Sequence, residues 1–280
     1  MRVEFWGVRG MISTPEEAYL GYGGNTLCVL LRCPGAPPIV LDAGMGFRWL
    51  GSHLLEDEPG KSHQLALFLA HCHWDHIQGI PFAPLMYIPG NRVDIWGYGG
   101  RRLSLRDNLL RQMETDYCPV PNFFLRDDIG ATVALHEFPE QDLQFGTARV
   151  KSMLVPRSSD SVVAGYRVEC GNLSLAYLTD VEYAGGPSQW PDVVDFVRGV
   201  DLLIHDGQFV DEEREAKRDW GHSTYLEAVE MARLAGARRL AIYHHDPSRD
   251  DVALDLIAAE LANLEVDAFV AREGEVVEVK

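Results

Sequence analysis

The chain has 280 residues, 46% hydrophobic and 24% charged, and a formal net charge of −17 from 25 basic and 42 acidic residues. That is enough chain for one large core or two small ones, and no apolar run approaches the ~20 residues of a membrane helix. The acidic excess argues against broad contact with a nucleic-acid backbone, but it leaves room for a small anionic substrate, because bound divalent ions reverse the potential locally.

The first residues alternate as a strand and carry no signal-peptide pattern. Five scattered cysteines (Cys28, Cys33, Cys72, Cys118, Cys170) read as reduced thiols of a cytoplasmic protein. Strands are expected at 1–8, 26–32 and 38–41. Gly21, Gly23 and Gly24 make a tight turn between the first two; no helix follows, as a phosphate loop would need. A helix over 47–56 puts Leu50, Leu54 and Leu55 on one face. The run Leu65-Ala66-Leu67-Phe68-Leu69 reads as a strand covered on both faces.

At its exit stands His71-Cys72-His73-Trp74-Asp75-His76. His71 and His73 are two apart, so in extended chain both imidazoles share a side, and Cys72 between them points away. Asp75 and His76 follow a turn. Imidazole nitrogens and carboxylates suit Zn, Fe or Mn. Asp75 and Gln78 are spaced as a capping box, predicting a short helix from His76.

Prolines 81, 84, 89, 119 and 121 interrupt the stretch 81–128. Within it a helix is expected over 101–113, on the spacing of Leu105, Leu109, Leu110 and Met113. Phe82, Tyr87, Tyr98, Tyr117, Phe123 and Phe124 make this an aromatic-rich insertion: a pocket wall, a dimer contact or a local mini-core.

Strands resume at 131–137, 148–155 and 162–169. The run 173–178 leads to Asp180, 200–204 to His205-Asp206, and 239–243 to His244-His245. With the strand before His71, four apolar strands thus finish in Asp or His, and in layered α/β folds sites gather at carboxyl ends of strands. Thr224 and Glu227 form a capping box for a helix over 227–234 that Gly236 ends, so His222 sits at a helix N-terminus, where an anion is favoured. A helix over 251–261 and a strand at 276–279 close the chain. No repeat or hinge divides it, and 1–280 reads as a single domain.

The pattern His-x-His-x-Asp-His resembles the signature of the metallo-β-lactamase superfamily, an α/β fold built as a four-layer αββα sandwich. Phe5-Trp6-Gly7-Val8-Arg9-Gly10, Gly23-Gly24-Asn25-Thr26, Leu41-Asp42-Ala43-Gly44 and Gly221-His222-Ser223-Thr224 resemble its branch near ribonuclease Z and small phosphodiesterases. The resemblance implies one metal on His71, His73 and Asp180, another on Asp75, His76, Asp180 and His244, and a shared solvent hydroxide as nucleophile, which Asp75 orients. It further implies His222 as general acid, oriented by Asp206. Asp42 is read as structural, a cap for the next helix, with support of a metal ligand as the alternative, and His245 as a support or a structural residue. The implied cofactor is one or two Zn²⁺, with Mn²⁺ or Fe as alternatives. Arg157 stands where the family places a further His; arginine stays protonated and cannot ligate, so the first site is weak, empty or completed by Asp160 or water, or the guanidinium serves as a phosphate clamp. The expected function is a metal-dependent phosphodiesterase acting on a small nucleotide-like diester. The alternatives are a carboxylic-ester, lactone or thioester hydrolase, or a catalytically impaired binding or sensor protein. The expected partners are a small anionic substrate and a second copy in a homodimer, with no large nucleic acid and no membrane.

Overall fold

The computed structural model describes residues 1–116, 118, 130–137 and 142–280. Two seven-stranded sheets face each other. The first holds, in chain order, β1 Arg2–Gly7, β2 Cys28–Arg32, β3 Ile39–Leu41, β4 Gln64–Leu69, β5 Arg92–Gly97 and β6 Thr132–Glu137. The second holds β7 Asp142–Phe145, β8 Ala148–Ser158, β9 Ser161–Cys170, β10 Leu173–Leu178, β11 Leu202–Asp206, β12 Leu240–Tyr243 and β13 Ala268–Val270. The last strand, β14 Val276–Glu278, returns to pair with β1 at the edge of the first sheet. Each sheet has an antiparallel part and a parallel part. β3, β4, β5 and β6 run parallel in one, and β10, β11, β12 and β13 in the other.

The strand sequences follow from double burial. Along β4, Leu65, Leu67 and Leu69 pack outward, while Ala66 and Phe68 pack between the sheets. Along β12, Leu240 and Ile242 face outward while Ala241 and Tyr243 face the other sheet. Helices α1 Met45–Asp57, α2 Trp74–Ile77 and α3 Leu105–Arg111 contribute to the cluster outside the first sheet. Helices α4 Pro191–Phe196, α5 Tyr225–Ala235 and α6 Asp251–Leu261 do the same outside the second. The layers are therefore αββα.

Three tyrosines tie the sheets together near one end. Tyr166 of β9 donates to the carbonyl of Leu69, Tyr177 of β10 to the Asp42 carboxylate and Tyr243 of β12 to the carbonyl of Gly7, at 2.6, 2.6 and 2.7 Å. The Ala164 amide adds a bond to the Ala70 carbonyl at 2.8 Å.

Several expectations are corrected. Helix α3 is shorter than 101–113, because Ser104 and Asp107 cap it reciprocally and fix its start. Helix α2 begins at Trp74 rather than His76, and the Asp75 carboxylate does not cap it but accepts from the Met11 amide at 2.7 Å. The expected strands 148–155 and 162–169 extend into one long hairpin, β8 and β9. Strands β5, β7 and β13 and helix α4 are additional, and each is short, at three to six residues. Of the insertion, Leu105, Leu109, Met86 and Met113 pack under the first sheet as a mini-core, whereas Phe82 is exposed. Tyr117, Phe123 and Phe124 lie outside the described residues. Among the described residues, no helix is long and apolar enough to cross a membrane.

Candidate metal centre

The site forms where the carboxyl ends of parallel strands from both sheets converge. Asp42 follows β3, His71 follows β4, Asp180 follows β10, Asp206 ends β11 and His244 follows β12. Asp42, Asp180 and His244 each take a left-handed backbone, with φ of 59°, 56° and 63°. Asp and His tolerate this conformation better than most residues, and one such residue turns the chain abruptly off the strand and presents its side chain to the opening. Gly10 is required beside it: a Cβ there would lie 2.2 Å from the His244 ring.

His71, Asp75, His76, Asp180, Asp206 and His244 are all buried. The His76 Nε2 lies 3.1 Å from Asp180 Oδ2 and 3.6 Å from Asp75 Oδ2. The His244 Nε2 lies 3.2 Å from Asp180 Oδ2 and 3.4 Å from Asp75 Oδ2. The His71 Nε2 is 3.6 Å from Asp180 Oδ1. Both nitrogens of His71, both of His244 and Nε2 of His76 are buried without a hydrogen-bond partner among the described residues. Orphaned imidazole nitrogens around carboxylates are costly unless a cation completes them. A tetrahedral ion with bonds of about 2.0–2.1 Å spaces its ligand atoms by roughly 3.3 Å, which is the spacing found, so the donor set fits a divalent metal.

The electrostatics point the same way. Burial alone would push His76 down, but Asp42, Asp75 and Asp180 outweigh it and hold its pKa well above the ordinary value. His244 is likewise raised against its burial, chiefly by Asp180. Despite burial, the surrounding histidines hold Asp180 well below the usual carboxylate range. The carboxylates that raise these rings would favour a divalent ion in the same way, and its binding would displace any proton the rings hold. His71 is instead lowered well below its ordinary value by burial and by the charge of His76.

Among the described residues, three groups have donor atoms within 4.8 Å of one another: Asp75, His76 and His244; His71, His76 and Asp180; and Asp180, Asp206, His222 and His244. His71 is thus brought to His76 as well as Asp180. His73 belongs to none of these groups. Its Nδ1 faces the Nη2 of Arg157 at 3.5 Å, and burial together with that guanidinium lowers its pKa to about 4. Asp160 is exposed and belongs to none of these groups either.

The supporting residues are placed as follows. Asp42 accepts from the Ala70 amide at 2.8 Å and from the Tyr177 hydroxyl, and lies 2.8 Å from His76 Nδ1. It thereby orients the ring so that Nε2 faces inward, a role beyond the structural one expected of it. Asp206 lies 2.8 Å from His222 Nδ1 and accepts from the amides of Asp180, Gln208 and Ser223. The His222 Nε2 comes to 3.9 Å from Asp180 Oδ1. His245 points away and pairs with the Ala271 carbonyl at 2.8 Å. Arg9, fully buried, binds the carbonyls of Tyr19, Gly23 and Arg249 and so fastens the glycine-rich turn.

The centre opens into a cleft of about 490 Å³ lined by Met11, His73, Trp74, Arg157, Trp220 and His222 among others. Trp74, Trp220 and Met11 are 74%, 56% and 49% exposed at its mouth. Sequence reasoning did not assign Met11, Gln208, Trp220 or Trp74 to it. The two tryptophans and Gln208 had a signal, since each adjoins or nearly adjoins a named site residue; Met11 had none.

Residues 38–245 match the model of the beta-lactamase superfamily domain. A ribonuclease Z of Sulfurisphaera tokodaii is 39% identical over 276 residues, covering 86% of this chain and 91% of that protein. A ribonuclease Z of Porphyromonas gingivalis is 42% identical over 77 residues, a match spanning 28% of this chain and only 23% of that relative's length. The solved structure of a diphosphatase from the PhnP family covers 100% of this chain and 98% of its own, with a TM-score of 0.69 at 17% identity, a likeness of fold. The chain belongs to the beta-lactamase superfamily.

Proposed function

We propose that the chain is a metal-dependent phosphodiesterase acting on a small nucleotide-like diester. The observation that carries this reading is the His222–Asp206 pair, held at 2.8 Å above the donor cluster with Nε2 turned towards the cleft. When bound, the divalent ion, Zn²⁺ or alternatively Mn²⁺ or Fe, supplies a Lewis acid and lowers the pKa of water. Its ligands are drawn from His71, His73, Asp75, His76, Asp180 and His244. Asp75, fixed by the Met11 amide, orients the attacking water. Asp206 holds the Nδ1 proton of His222 and thereby its orientation, so the proton on Nε2 is the one passed to the leaving oxygen.

A small substrate is supported by the cleft volume and the net charge of −17. A nucleotide-like one is supported by the exposed Trp74 and Trp220, since base–aromatic stacking contributes about 1–3 kcal/mol per base. With the metal-loaded chain, bis(p-nitrophenyl) phosphate is expected to turn over faster than any member of a lactone panel. His222→Ala is expected to lower that turnover roughly 10²–10⁴-fold; an unchanged rate removes His222 from the mechanism. The name ribonuclease Z carried by the sequence relatives favours a second reading, RNA cleavage, and a tRNA precursor assayed beside the small diester decides between them.

A further inference from the structure

Arg157 enters the donor cluster from β8. Its Nε is buried, has no hydrogen-bond partner among the described residues and lies 3.9 Å from Asp180 Oδ1, while Nη2 faces His73 at 3.5 Å. The stem is confined by Gly221, whose φ is +91° and where a Cβ would come within 2.8 Å of Arg157 Cγ. The guanidinium is therefore placed by the fold and does not trail into solvent. It stays protonated and has no lone pair for a metal, and a permanent positive charge at this spot repels a dication. A second ion there would be left with His71 and with His76 and Asp180, which the other group already uses, and would face that charge directly.

We propose that each chain holds one divalent ion, at Asp75, His76, Asp180 and His244, and that the Arg157 guanidinium takes the place of a second ion by gripping a phosphoryl oxygen of the substrate through its planar donors. This rests on the reading of the site as a phosphodiester-cleaving metal centre. The test is metal content by elemental analysis of chains saturated with Zn²⁺ and desalted, for the wild type, Arg157→His and Arg157→Lys. The expected values are one ion for the wild type and the Lys variant and two for the His variant, with inorganic phosphate competing at least tenfold less well against Arg157→Ala than against the wild type. Two ions in the wild type, or no gain in the His variant, overturn the proposal while leaving the metal centre in place. No ion in any of the chains overturns the metal-centre reading itself.

Discussion

At the residue scale, the centre depends on carboxylates that never need to touch an ion. Asp42 meets three donors at once: the Ala70 amide, the Tyr177 hydroxyl and the Nδ1 side of His76. A carboxylate can accept from all three, whereas an asparagine must turn an NH₂ towards one of them. Asp42→Asn is therefore expected to weaken Zn²⁺ binding roughly 10–100-fold, read by chelator competition, with the fold retained. Tyr177→Phe removes only one of the three bonds and is expected to have a smaller effect; affinity unchanged in both variants would leave His76 oriented by packing alone. The ligand-type residues themselves are legible in the sequence, because donors crowd at strand exits. Asp42 is only half legible: its place at a strand end shows, but its three partners come from 28, 34 and 135 residues away, and no local pattern encodes such contacts.

At the element scale, strands covered on both faces are the most legible feature, since their apolar runs are continuous, and the expected capping box at Thr224 is present, though it starts α5 at Tyr225, two residues before the expected 227. Short strands with mixed burial, such as β7, carry no comparable signal. The glycine-rich turn is secured in a way its sequence does not show. The amides of Gly21 and Tyr22 donate to Asp251 at the start of α6 at 2.7 and 3.0 Å, and the Tyr22 hydroxyl donates to Asp255 at 2.8 Å. Burial, reinforced by Asp255, pushes the Tyr22 phenol up to about 12. An unfolded tyrosine titrates near 10, so the folded state holds its proton longer. The stability this group contributes is complete below pH ~10 and is lost as pH rises towards 12. Tyr166, Tyr177, Tyr183 and Tyr243 are raised in the same direction by burial, so the wild type loses stability steeply there. Tyr22→Phe is expected to lose less between pH 9 and 11 in denaturant titrations; an equal loss would assign the alkaline limb to the other tyrosines.

At the scale of the whole molecule, the centre joins the two halves of the sandwich. His71, His73, Asp75 and His76 come from the first sheet's loop, and Asp180, His222 and His244 from the second. Spacing in the sequence reports only the local side on which the rings of His71 and His73 stand; that they share an ion is what the family resemblance implies. The distribution of donors between the sheets, and the guanidinium facing His73, appear only once β8 is laid against the opening. An ion bound across this seam stabilises the native state by mass action and gains nothing from the unfolded chain beyond weak binding. At a hundredfold excess over Kd the gain is about 2.7 kcal/mol. One kcal/mol moves Tm by about 2–4 °C in chains somewhat shorter than this one, so Zn²⁺ is expected to raise Tm by several degrees, and a chelator to return it. Asp180→Asn, which removes the carboxylate lying among His71, His76 and His244, is expected to abolish the shift. Arg157→Ala, which removes no donor, is expected to keep it. A wild-type Tm that does not respond to Zn²⁺, measured calorimetrically at fixed protein concentration, would mean that no ion links the sheets, and the histidines would then have to be explained by the protons they hold.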